Sequence, residues 1–136
     1  GNIHWGLHPT ISFWNVYYLP EFHRTCIDLG MVDVNRKHDH FTSTFHLNNL
    51  IFPEYYCCQI LPTEHKIQVA RKLQTYATEL ERLYEIDAGP IRNIITFMNQ
   101  DDKSMLLPKM KTMTQKLDAV RQEDSKLVFP FLKDLF

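Results

Sequence analysis

The chain is short of the residues and patterns that most often announce a chemistry. It has three cysteines, an odd number, so no disulfide framework can be drawn through it. A reducing, cytoplasmic setting fits that usage best. Four glycines leave little room for a loop that cradles phosphates. No Walker or dinucleotide glycine pattern occurs, and neither GxSxG nor HExxH is present. No Gly/Ser-rich linker, internal repeat or low-complexity tract divides the chain. No apolar run approaches the roughly 20 residues that cross a bilayer, so no membrane partner is expected. The net charge is −1 and the basic residues are dispersed, which argues against nucleic acid as a partner. The nearest basic stretch, Lys109, Lys111 and Lys116, is followed by Asp118, Glu123 and Asp124 and reads as a solvated helix face. Nothing from Gly1 to Trp14 has the pattern of a signal peptide. The opening Gly1 in place of Met reads as a processed or engineered start.

What is present is an ordinary globular composition, 44% hydrophobic over 136 residues. That length makes one domain or one piece of a larger one, and it can bury enough surface to fold. Leu7 to Trp14 is predicted as a strand, with Leu7, Ile11 and Phe13 on one face. Leu19-Pro20 opens a helix whose stripe is Leu19, Phe22, Cys26 and Leu29, and Gly30 stands where a glycine ends it. Met31 to Val34 reads as the next strand, which completes a βαβ unit with a parallel pair and a right-handed crossover. Asn35 to His40 is a polar loop. Phe41, Ser43, Phe45 and Leu47 alternate with Thr42, Thr44 and His46 as a further strand, and a turn follows at Asn48-Asn49. Tyr55 to Leu61, bracketed by Pro53 and Pro62, is the last strand expected.

After Pro62 the apolar period becomes helical. Leu73, Tyr76, Ala77, Leu80, Leu83 and Tyr84 form one stripe, with Thr63 as the expected N-cap and Glu64 favourable in the first turn. Gly89-Pro90 starts a second helix with Ile91, Ile94, Ile95 and Met98 on one face. Pro108 starts a third with Met110, Met113, Leu117 and Val120, and the apolar tail docks as a short helix entered at Pro130. The predicted class is α/β or α+β: residues 1–62 form a β-containing section, and residues 63–136 a helical C-terminal region packed on it as one unit.

Few groups suggest a site. Of seven histidines, His38, His40 and His46 are the densest set. They are the weak metal candidates, since two histidines two apart on an extended segment point the same way. An exposed loop is the plainer reading, and His65 reads as solvated. Cys26 lies on a helical apolar stripe, where cysteine behaves as a small hydrophobe. Cys57 and Cys58, as strand neighbours, would face opposite ways. Three thiols, two of them adjacent, make a poor iron–sulfur cage, so no cofactor is expected in this chain. Asp118 and Arg121, three apart on a helix, read as a surface pair. Tyr17, Tyr18, Phe52, Tyr55 and Tyr56 read as core packing before a ligand groove.

Four signatures carry a resemblance. They are Asn15-Val16-Tyr17-Tyr18-Leu19-Pro20-Glu21-Phe22, then Ile51-Phe52-Pro53-Glu54-Tyr55, then Gln59-Ile60-Leu61-Pro62, and finally Leu117-Asp118-Ala119-Val120-Arg121 with Phe129-Pro130-Phe131-Leu132. In that order the chain resembles the C-terminal half of radical SAM proteins that carry a twitch (SPASM-like) domain. The resemblance implies a late βαβ unit of a partial barrel at Leu7 to Phe22, a twitch-like β section at Phe41 to Pro62, and a helical tail. The family's CxxxCxxC motif, which holds a [4Fe-4S] cluster beside S-adenosylmethionine, belongs upstream of the matched region, and no CxxxCxxC occurs here. No catalytic residue is therefore carried over. The implied function is a C-terminal portion, not catalytic by itself, that caps the barrel or binds a substrate the sequence does not name. The alternative is a free-standing, non-enzymatic binding or interaction module without a cofactor. A barrel fragment would also leave the edge of its first strand open to self-association.

Overall fold

The open backbone edge of the first strand is closed by a single side chain, Asn15, and that fixes how the N-terminal section folds. A computed structural model describes residues 6–136; residues 1–5, where the processed start is read, lie outside it. Strand β1 is only Thr10–Ile11. It pairs in parallel with β2, Asn48–Asn49, Thr10 opposite Asn48 and Ile11 opposite Asn49, and a bridge between Leu7 and Phe45 extends the ladder. The expected strand stops at Ser12 because the chain turns there. The Ser12 amide donates to Asn15 Oδ1 at 2.8 Å, and Asn15 Nδ2 donates to the Thr10 carbonyl at 2.9 Å. These are the groups that point away from β2.

Helix α1, Leu19–Asp28, follows with Pro20 in its first turn. It ends as expected at Gly30, whose φ is 71°. The Gly30 amide donates to the Ile27 carbonyl at 3.0 Å and the Met31 amide to Cys26 at 2.8 Å, the paired bonds of a Schellman end. Its buried stripe is Leu19, His23 and Cys26, while Phe22 is 48% and Leu29 68% exposed. The inward face is rotated from the expected one, and a histidine occupies its centre.

The βαβ order and the parallel pairing are present, but the second strand is Asn48–Asn49, where a turn was expected. Met31 to Val34 forms no strand; the Asp33 side chain accepts the Asn35 amide at 2.9 Å and turns the chain. Phe41 to Leu47 is not a strand either. His40–Thr44 makes one wide helical turn, closed by the Phe45 amide on the His40 carbonyl at 3.0 Å. Ser and Thr account for it: Thr42 and Ser43 hydroxyls donate to the Asp39 carbonyl, and Thr44 to His40, which competes with extended pairing. A Cβ at Gly6 would sit 2.7 Å from the Ser43 carbonyl, so the backbones approach there only because it is glycine.

Tyr55 to Leu61 is also not a strand, but two short 3₁₀ turns, Glu54–Tyr56 and Cys58–Ile60. Cys57 through Leu61 are all buried in succession, so neither face of this segment is free for water. Gln59 anchors it, donating through Nε2 to the Phe97 carbonyl at 2.7 Å and accepting the Lys103 amide at 3.1 Å.

Helix α2, Thr63–Tyr84, has the expected bounds, but Pro62 holds the cap position and no side chain caps it; Thr63 is the first helical residue. It buries Val69, Leu73, Tyr76, Ala77 and Leu80, leaving Leu83 55% exposed. Helix α3, Gly89–Gln100, packs on it through Ile91, Ile94 and Met98, and Arg92 grips Glu81 through both guanidinium nitrogens at 2.6 Å. Helix α4, Leu107–Arg121, buries only Met110 and Thr114; of its expected stripe, Leu117 and Val120 are exposed. A short helix α5, Ser125–Val128, and a 3₁₀ turn, Pro130–Leu135, make the tail. One core joins Ile11, Phe13 and Phe45 to Leu73, Tyr76 and Ile91 across both sections. The fold is mixed, mostly helical with one small parallel sheet. No helix among the described residues is long and apolar enough to cross a membrane.

Candidate functional site

Three polar residues from three elements meet inside this core. Helix α1 supplies His23, the wide turn supplies His40, and α2 supplies Tyr76; both histidines are fully buried and Tyr76 is 2% exposed. His23 Nδ1 lies 2.5 Å from Tyr76 Oη, and His23 Nε2 lies 2.8 Å from His40 Nε2. His40 Nδ1 lies 2.9 Å from the Asp33 carbonyl. A carbonyl only accepts, so His40 Nδ1 carries the proton and its Nε2 accepts. His23 must then donate from Nε2 and accept at Nδ1, which takes the Tyr76 hydroxyl proton. With both rings neutral, the direction of every bond follows from that one carbonyl.

Their electrostatics agree. Burial, the neighbouring His40 and Arg24 together lower the His23 pKa to about 3. Burial also lowers His40, although the Asp33 carbonyl opposes it, and burial raises the Tyr76 hydroxyl. A satisfied buried network of this kind rigidifies a core. It ties α1, the wide turn and α2 together, and the two imidazoles at its centre are fully buried.

The weak metal candidates do not share a site. His40 belongs to this network, His38 is exposed, and His46 is exposed with its ring 5.3 Å from that of His8. No three His, Cys, Asp or Glu side chains among the described residues are placed to hold a metal ion. His65, expected to be solvated, is 6% exposed and bonds Asp134 Oδ1 at 3.0 Å through Nε2. Cys26, Cys57 and Cys58 are all free and buried. Burial raises the Cys26 thiol. The contact between neighbouring thiols raises Cys58, which burial raises further, and lowers Cys57.

The signature residues from the two ends of the chain meet in space. Tyr17 stacks on Phe131 at 3.8 Å and 6°, and the Phe131 amide donates to Tyr18 Oη at 3.0 Å. Trp14 packs against Phe129 at 5.0 Å and Phe136 at 6.0 Å. Asp118 does not pair with Arg121. Its carboxylate accepts the Ser125 amide at 3.0 Å and hydroxyl at 2.7 Å, fixing the turn from α4 into α5. Of the aromatics expected in the core, Phe52 is 87% exposed.

Sequence reasoning missed His23. Its signal was the spacing Leu19, His23, Cys26, which is as helical as the stripe drawn through Phe22 but places an imidazole at the centre. Beside the network, α1 and α2 enclose an open groove of about 340 Å³ that Tyr76 helps to line. Compared with known proteins, the chain matches no family model, no curated protein and no solved structure.

Proposed function

We propose that this chain is a non-catalytic C-terminal portion of a radical SAM-like protein, capping a partial barrel that would lie upstream or holding its substrate. One observation supports this reading above the others. The residues that carry the resemblance, Tyr17 and Tyr18 near one end and Phe129 and Phe131 near the other, pack on each other as a single aromatic seam. That seam ties the start of α1 to the C-terminal tail. The test is the coding sequence upstream of Gly1. A CxxxCxxC motif in the same reading frame upholds the proposal, and a frame that opens near Gly1 without one overturns it.

A second reading, a free-standing binding module, is favoured by Asn15. A strand taken from a barrel would leave its outward backbone groups for the preceding strand, whereas here the Thr10 carbonyl and Ser12 amide are already occupied. On either reading, self-association through β1 requires Asn15 to let go.

A further inference from the structure

We infer that the groove between α1 and α2 is a binding site for a small molecule carrying a phosphate dianion. Three cations, Arg24, Arg71 and Lys72, line it beside Tyr17, Pro20 and Tyr76, and no carboxylate is among its lining residues. The two glutamates that neutralise part of this charge stand outside the walls. Glu21 holds Lys72 at 2.7 Å and Glu79 holds Arg24 at 3.0 Å. Arg71 is different, because its guanidinium makes no hydrogen bond or ion pair with any described residue, and its five donors are unspent.

The other two cations are held in place before any ligand arrives. Lys72 Nζ sits 3.6 Å above the Tyr17 ring, whose opposite face is covered by Phe131. The Arg24 guanidinium lies 4.7 Å over Tyr76, whose hydroxyl is fixed by His23. Side chains fixed in this way lose little freedom on binding, and a planar guanidinium presents a fork of donors that matches phosphate oxygens. A space of about 340 Å³ is roomier than a bare phosphate needs, which leaves room for the organic part of an ester against Pro20 and Tyr17. Such binding requires no upstream barrel.

Titration calorimetry at constant ionic strength tests this, with inorganic phosphate, a phosphate monoester such as glycerol phosphate, and citrate as a carboxylate of higher charge. The expected result is that the monoester binds more tightly than phosphate, that both exceed citrate, and that Arg71→Gln weakens the monoester about tenfold. Arg71 is exposed and unpaired, so that variant should melt with the wild type, and Lys111→Gln on α4 should bind as the wild type does. Equal affinity in Arg71→Gln, citrate binding the tightest, or no heat above a chloride control would each overturn the assignment.

Discussion

His23 Nε2 donates to His40 Nε2 across 2.8 Å, with the two rings crossed at 85°. Because neutral His40 gives its only proton to the Asp33 carbonyl, its Nε2 is left to accept from His23, and a second proton on either ring would put a charge in a buried site beside Arg24. Burial therefore favours the neutral form of both imidazoles.

Acid should therefore loosen this protein earlier than its carboxylates alone would require. His23 titrates near 6.5 in the unfolded chain and near 3 when folded. Between those values the unfolded state binds more protons, so stability is full above about pH 6.5 and falls as the pH drops. For His23 alone the loss by about pH 4.5 is about 2–3 kcal/mol, and His40, shifted the same way, adds to it. Urea midpoints measured from pH 7.5 to 4.5 should show this slope. His23→Gln should be less stable at neutral pH and lose most of the slope; a variant as acid-sensitive as the wild type would put the effect elsewhere.

Leu80 and Leu83 test the inward face of α2. Both sit on the stripe drawn from the sequence, but Leu80 is 1% exposed and Leu83 55%. Leu80→Ala should cost about 2–5 kcal/mol, and Leu83→Ala should fall within about 0.5 kcal/mol of the wild type. Comparable losses at the two positions would mean that the face is rotated.

That pair shows where the sequence was legible. Helix bounds followed local chemistry: Pro20, Gly30, Pro62, Gly89 and Pro108 all punctuate elements near where they were expected. Strands were overread because alternation does not say whether a partner exists. Phe41 to Leu47 alternates well, yet its Ser and Thr hydroxyls found closer acceptors on the Asp39 and His40 carbonyls. Tyr55 to Leu61 is apolar without a partner strand and settles into 3₁₀ turns. The groove cations and the His23 network lie on three elements far apart in the chain, and no local pattern joins His23 to Tyr76.

The purified chain is expected to be colourless and to bind zinc weakly. Cys26, Cys57 and Cys58 make a poor cluster cage, and His38 and His46 stand apart from the buried His40. A broad band near about 400 nm after anaerobic reconstitution with iron and sulfide would contradict the first expectation. Sub-micromolar zinc affinity that His38→Ala abolishes would contradict the second.

The last prediction concerns the edge of β1. Asn15 satisfies the Thr10 carbonyl and Ser12 amide with one side-chain amide, which supplies an acceptor and two donors at the right separation. The Phe13 amide is taken by the Tyr56 carbonyl at 2.8 Å, so the backbone beyond the strand is occupied too. Replacing Asn15 by Ala removes both side-chain bonds at once and leaves a short open edge beside buried Ile11. Losing one partly buried and one exposed hydrogen bond should cost about 1–2 kcal/mol, and an open edge can recover part of that by pairing with a second copy. The wild type should scatter light as a monomer, with the Ser12 amide protected from exchange. Asn15→Ala should expose that amide and shift toward dimer as concentration rises. Asn15→Asp keeps the acceptor but loses the donor, so it should protect Ser12 while leaving the Thr10 carbonyl open. A wild-type dimer with Ser12 protected would place association on another surface, and a monomeric, protected Asn15→Ala would remove Asn15 as the closing device.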